Sequence, residues 1–344
     1  MTRAYLAFTD TGLALARRLA DALPGSVGRC GSGGVSLAGW TALQFAQSDA
    51  LVFVGAVGIA VRAIAPHCRS KASDPAVVVL DECGRFAVPV LSGHLGGAND
   101  LARALAAVCG AVPVITTATD AHGIFAVDEW AKHQNCTVLE AERIKHVSSK
   151  LLAGQSVRFA AEFPVQGTPP AGVDPARTPA EADFALTLSP AGDALHLVPR
   201  IGVLGIGCRR GTCAEQLEAA FADFCARHSL APACIAAAAS IDLKADEAGL
   251  LAFCWAHGWP ITFYSAEQLR ALSGPFTPSP FVQSVTGVDN VCERAAVLAS
   301  GGCIRIPKQA GLCAGAVPLC PGLEVAEWLI SYMWSGLAPA TRSF

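Results

Sequence analysis

Leu91-Ser-Gly-His-Leu-Gly-Gly-Ala-Asn-Asp100 joins an apolar, strand-like segment (residues 85–91) to a helix-like one (residues 98–109). Glycines at a strand-to-helix junction let the backbone come close to a ligand and leave free N–H groups at the helix start. His94 sits in the middle of the junction, with Ser92, Asn99 and Asp100 beside it. The same alternation extends outward. Residues 4–9 and 50–54 read as strands, and 12–22 and 37–47 as helices; Gly55-Ala-Val-Gly58 turns into a short helix that Pro66 stops. Residues 76–80 and 85–90 flank Asp81-Glu-Cys-Gly84 in a hairpin pattern, and a strand at 112–116 and a helix at 124–133 follow. Strands alternating with helices at this spacing imply an α/β domain with a mainly parallel sheet, in which ligands collect at the carboxyl ends of strands. The loops after Val54, Val90 and Thr116 are expected to meet there.

Beyond residue 132 the pattern weakens, because Pro164, Pro169, Pro170, Pro175 and Pro179 break any long element. Residues 184–188 and 194–198 read as a pair of hairpin strands within a small module. A second α/β pattern starts at Ile201, with Gly205-Ile-Gly-Cys-Arg-Arg-Gly211 between a strand and a helix, and with Thr212 and Glu215 spaced as a capping box. Strands are expected at 234–239, 261–264, 303–306 and 313–317, helices at 246–257, 266–272 and 289–299, and a terminal helix at 324–334. The expected architecture is two α/β domains with mainly parallel sheets flanked by helices, spanning 1–131 and 201–344 and joined over 132–200 by a small middle module or linker.

Composition narrows the function classes. Of 344 residues 52% are apolar and 15% charged, enough for sizeable cores. A net charge of −3 without a Lys/Arg run argues against a nucleic-acid partner. The apolar stretch 50–61 is too short to span a bilayer, and no signal-peptide architecture opens the sequence, so no membrane partner and a cytoplasmic location are expected. The 14 cysteines form no C-x-x-C pair, and the histidines show no ligand spacing with one another, so no protein-built metal centre is expected.

Several groups could carry chemistry. His94 is suited to proton transfer near neutral pH, with Ser92 and Asp100 as further catalytic candidates. Gly55, Gly58, Arg62 and Lys71 suit an anion at a helix start, as do Gly96 and Gly97; the bland reading is a set of glycine turns with solvated cations. Thr116, Thr117 and Asp120 offer hydroxyls and a carboxylate at a strand end, or simply cap the next helix. Gly207, Arg209, Arg210 and Lys244 form a further candidate anion site. Gly205 to Gly211 has one residue too many for the dinucleotide fingerprint.

Four stretches of the first half carry a family resemblance: Val54-Gly-Ala-Val-Gly-Ile-Ala-Val-Arg62, Lys71-Ala-Ser-Asp-Pro-Ala-Val77, residues 91–99 and Val114-Ile-Thr-Thr-Ala-Thr-Asp120. Together they resemble cobalt-precorrin-5A hydrolases of anaerobic cobalamin biosynthesis. Gly205 to Gly211, Ser240-Ile-Asp-Leu-Lys244 and Val291-Cys-Glu-Arg-Ala-Ala296 resemble that family's carboxy-terminal domain, also found alone in the aerobic pathway. The resemblance implies a hydrolase that opens the δ-lactone of a cobalt corrinoid and releases acetaldehyde. It also implies cobalt arriving with the substrate and no separate cofactor. His94 would then be the base, Asn99 and the cations substrate contacts, and Gly96 and Gly97 N–H donors to an oxyanion. Neighbouring pathway methyltransferases and a second copy of the chain are candidate partners. A non-catalytic corrinoid carrier and a nucleotide-dependent oxidoreductase are the alternatives.

Overall fold

The computed structural model describes residues 1–31, 33–70 and 73–308, and the backbone of 318–319 and 326–327. These fall into two compact units, Met1–Lys132 with Ile144–Gln155, and His133–Arg143 with the chain from Ser156 onward.

The first unit contains β1 (Arg3–Ala7), α1 (Asp10–Ala22), β2 (Ser26–Arg29), α2 (Leu37–Gln47), β3 (Ala50–Val54), α3 (Val57–Ile64), β4 (Ala76–Leu80), β5 (Phe86–Leu91), α4 (Ala98–Cys109), β6 (Val112–Pro113), α5 (Ala118–His122) and most of α6 (Val127–His133). One sheet runs β2-β1-β3-β4-β5-β6. β3 and β4 are apolar throughout and buried throughout, as strands covered on both faces must be. Tyr5, Val52, Val78 and Leu80 pack beneath Leu15, Leu19, Leu101 and Leu105 of α1 and α4. Leu6, Leu51, Phe53 and Val79 point the other way, toward Trp40, Ala60 and Ile64 of α2 and α3.

The expected hairpin is present, and it has a consequence. β4 and β5 pair antiparallel, with Leu80 opposite Ala87 and Val77 opposite Leu91. Asp81 ties the turn by accepting from the N–H groups of Arg85 (2.7 Å) and Phe86 (2.8 Å). β3 runs parallel to β4, with Val54 beside Leu80. The end of β5 therefore lies at the opposite end of the sheet from the end of β3. The loops after Val54 and Val90 do not meet. Those after β5 and β6 do, because these two strands are parallel. The strand expected at 112–116 stops at Pro113, and an unforeseen short helix, α5, ends at Gly123 (φ 62°) before α6 begins.

In the second unit, β7 (Cys136–Val138), β8 (Val157–Ala161), β10 (Val173–Pro175), β11 (Phe184–Leu186) and β12 (Leu195–Pro199) form a sheet in the order β10-β8-β11-β12-β7. Between them, α7 (Ile144–Leu152) returns to the first unit, and β9 (Val165–Gln166) lies outside this sheet. The expected hairpin of β11 and β12 is instead a parallel pair, Phe184 beside Leu195 and Leu186 beside Leu197. Both strands are so short that the connecting segment can return to the starting end before β12 begins.

A parallel three-stranded sheet follows, built of β13 (Gly202–Gly205), β14 (Ile235–Ile241) and β15 (Ile261–Tyr264). It is accompanied by α8 (Ala214–Arg227), α9 (Ala248–Ala256), α10 (Ala266–Ala271), α11 (Pro280–Thr286) and α12 (Cys292–Ser300). The cap of α8 is one residue later than expected. Cys213 is its N-cap, its N–H bonded to Gln216 at 3.2 Å, while the Thr212 hydroxyl donates to the Arg209 carbonyl. β16 (Cys303–Ile304) pairs with β17 (Pro318–Leu319), and β18 (Ala326–Glu327) pairs with β9. Ala326 and Glu327 are thus strand rather than the expected helix; the rest of 324–334, and the strand expected at 313–317, lie outside the described residues. Both units are α/β with mostly parallel sheets flanked by helices.

Candidate active site

The loop from Ser92 to Gly97 closes on itself. Ala98 N–H donates to the Ser92 carbonyl (3.0 Å), Asn99 N–H to Gly93 (3.0 Å) and Gly97 N–H to His94 (2.9 Å). Each glycine has a steric reason. A Cβ at Gly93 would press on the Asn99 amide, one at Gly96 would overlap Ser92, and one at Gly97 (φ 83°) would coincide with the Lys132 ammonium. The Gly97 N–H is therefore committed within the loop and is no oxyanion donor. Ser92 adopts φ 56°, unusual for a residue with a side chain, and its hydroxyl donates to the Asp74 carbonyl at 2.9 Å. Asp74 in turn accepts from the N–H groups of Arg69 and Ser70, which fixes the loop before β4 at this end of the sheet. Lys71 lies outside the described residues.

This closed loop holds His94 between two carboxylates. Nε2 lies 2.9 Å from Asp120 of α5 and Nδ1 3.2 Å from Asp128 of α6. A ring nitrogen facing a carboxylate must donate, so a ring with one on each side carries both protons. Burial works against that charge, but hydrogen bonds and attraction from Asp120 and Asp128 raise the His94 pKa to about 10. Burial likewise opposes ionisation of Asp120, yet His94, Thr117 and Arg103 hold its carboxyl well below the usual range. Asp120 also accepts from Thr117 and, at 3.1 Å, from the buried Asn99 amide, which bridges to Thr117 at 3.0 Å. Thr116 is exposed and outside this network.

A second layer of charge surrounds the clamp. Arg103 reaches Asp120, Asp100 (3.2 Å) and Glu129 (3.4 Å), and Lys132 approaches Asp100 at 3.7 Å. Glu129 is 3% exposed, and burial together with the charge of Asp120 raises its pKa. His94, Asp120 and Glu129 offer ligand atoms within 4.8 Å of one another, a set that could hold a metal ion. Arg103 already supplies positive charge to both carboxylates. Sequence reading found His94, Asn99, Asp100, Thr117 and Asp120 but missed Arg103, Asp128, Glu129 and Lys132. The available signal was a run of charges, Asp128, Glu129 and Lys132, in an otherwise apolar helix, where adjacent turns share one face.

The remaining candidates lie elsewhere. At the far end of the first unit's sheet, Gly55 is a glycine because a Cβ would come within 2.6 Å of the Phe8 ring. Gly58 is exposed, and Arg62 donates to its carbonyl at 3.2 Å. In the second unit, Gly205 packs against the Cys292 carbonyl, and a Cβ at Gly207 would make only ordinary contact with Cys292. Arg210 pairs with Asp246 through both terminal nitrogens, at 3.1 and 3.2 Å. Lys244 pairs with Glu247 at 3.1 Å, and Glu247 also takes the Gly211 N–H at 2.7 Å. Of the three cations in the second unit, Arg209 is the one with no ion pair among the described residues. The four-residue cluster expected to bind anions is thus largely neutralised by Asp246 and Glu247.

Comparison with known proteins gives two family matches, "Cobalamin synthesis G N-terminal" over residues 39–120 and "Cobalamin synthesis G C-terminus" over residues 202–318. Cobalt-precorrin-5A hydrolase of Salmonella typhimurium is 37% identical over 324 residues, covering 87% of this chain and 92% of that protein. The Priestia megaterium protein of the same name is 33% identical over 285 residues, covering 75% and 74% respectively. Protein CobE of Sinorhizobium sp is 36% identical over 100 residues, covering 29% of this chain and 65% of that protein.

Proposed function

The chain belongs to the cobalt-precorrin-5A hydrolase family, and from that premise we propose that it opens the δ-lactone of cobalt-precorrin-5A and releases acetaldehyde to give cobalt-precorrin-5B. It is a hydrolase of cobalamin biosynthesis. Water adds to the lactone carbonyl and its oxygen ends in the freed carboxylate. The ester C–O bond breaks, and the resulting alkoxide collapses to the aldehyde as the neighbouring C–C bond breaks. That electron pair stays on the macrocycle, which takes up a proton.

The observation that carries this reading is the clamp of His94 between Asp120 and Asp128, within and just beyond the segment that matches the amino-terminal family. An imidazolium whose two N–H groups are held by Asp120 and Asp128 suits stabilisation of a developing oxyanion through its charge, and donation of a proton once one of those bonds opens, better than the base role expected from sequence. Asp100, more exposed than its neighbours, is the carboxylate placed to take the proton of the attacking water. Cobalt enters with the substrate, and no further cofactor is part of the proposal. Self-association and handover to neighbouring methyltransferases belong to it too, and analytical ultracentrifugation tests both.

The reaction is tested by incubating the protein with cobalt-precorrin-5A in H₂¹⁸O. One acetaldehyde per turnover, trapped by coupled reduction, and label in one product carboxylate are expected. Tight binding without acetaldehyde would indicate a carrier.

A further inference from the structure

Lys132 was not singled out by sequence and has no part in the His94 clamp, yet its position is specific. Its ammonium lies where a Gly97 side chain would be, directly on the backbone at the start of α4. The side chain is 29% exposed, and the nearest carboxylate, Asp100, is 3.7 Å away, beyond hydrogen-bond reach. An ammonium carries three donors, and none of the described protein groups fills them at hydrogen-bond distance. Arg103 next to it differs: it reaches Asp100, Asp120 and Glu129. Asp100 is itself shared with Arg103, which leaves Lys132 the under-used cation of the cluster. Asp128 and Lys132 lie one helical turn apart on α6, so one helix presents the His94 clamp and this ammonium on the same side.

We propose that Lys132 forms a carboxylate subsite, in which its ammonium, seated on Gly97 beside His94, binds an acidic side arm of the corrinoid. The proposal rests on the hydrolase reading and adds to it a ground-state contact. A partly buried ammonium with free donors is completed by an incoming carboxylate through charge-assisted hydrogen bonds. Gly97 is then constrained twice, by its left-handed backbone and by the cation that occupies its side-chain space.

The probe is cobyrinic acid, a stable cobalt corrinoid with free carboxylates, and its fully esterified form, titrated calorimetrically into wild type, Lys132→Met and Lys132→Arg. Lys132→Met is expected to weaken cobyrinic acid binding about 10- to 100-fold, the effect of one charge-assisted contact, with Lys132→Arg recovering most of it. The ester should bind wild type and Lys132→Met alike. In turnover, KM should rise by a larger factor than kcat falls. Equal binding of the acid by wild type and Lys132→Met, or no binding by wild type, overturns the subsite. So does a loss confined to kcat, which would place Lys132 at the reacting atoms. If wild type binds the acid through Lys132 but releases no acetaldehyde from cobalt-precorrin-5A, the hydrolase reading fails and the subsite stands.

Discussion

Two glycine-rich junctions in the first unit look alike on paper and differ in substance. Gly55 to Gly58 and Ser92 to Gly97 each lead from a strand into a helix. The first ends β3, carries one exposed cation, Arg62, and leaves Gly58 in open surroundings. The second ends β5 and gathers Asp100, Arg103, Asp120, Asp128, Glu129 and Lys132 around His94. The antiparallel turn at Asp81 puts them at opposite ends of the sheet. Glycine alone therefore says that a backbone is close to something; only the neighbours say to what.

Substitutions should separate the two junctions, most strongly in activity. His94→Ala is expected to slow acetaldehyde release by about 10²- to 10⁴-fold, whereas Arg62→Ala should leave kcat within about threefold of wild type. Equal losses would erase the distinction. Next in size, Asp120→Ala strands His94 and Arg103 without their shared carboxylate and should cost about 3–5 kcal/mol in urea unfolding. Smaller still, one substitution should act with opposite signs at the two sites. Gly97→Ala forces a side chain into left-handed backbone and should destabilise by about 1–2 kcal/mol, while Gly58→Ala, in the first turn of α3, should stabilise by about 0.5–1 kcal/mol.

Within about pH 7 to 9 the expected effect of pH is the smallest of all. The pKa of His94 is raised to about 10, so its contribution to stability is complete below the ordinary histidine value of about 6.5 and is lost only as pH rises through about 10. Asp120 is shifted down, so its contribution is present above about 3.9 and is lost as pH falls below that. Activity that depends on the imidazolium should hold nearly level between about pH 7 and 9. A steep fall near 6.5 in the pH–rate profile would mean that His94 titrates as an ordinary base.

Much of the first unit was legible in the sequence because its elements obey one period each. The bounds of α2, β3, β4 and α4 follow from apolar runs and helical spacing, with glycine, proline and polar residues as stops. The β4–β5 turn was legible too, but what it does to neighbouring loops was not, since strand direction is a property of the pairing. Asp120, His94, Asn99 and Thr117 could be named from motifs; that they bond to one another could not. Arg103, Asp128 and Glu129 reach the site from other helices, and only packing fixes which of their faces turns inward. In the second unit Arg210 and Lys244 read as free cations because their partners, Asp246 and Glu247, look like ordinary helix-start acids. The β11–β12 pair was read with the wrong direction, because strands of three and five residues set no direction by pattern alone.

Locating the macrocycle decides between the two junctions most directly. A crystal of the protein with bound cobyrinic acid, with data collected at the cobalt absorption edge, gives the metal's position from its anomalous signal. The peak is expected at the β5–β6 end of the sheet, with a side-arm carboxylate on Lys132 and His94 facing the ring. A peak over Gly55 to Gly58 would contradict the assignment of the chemistry to His94.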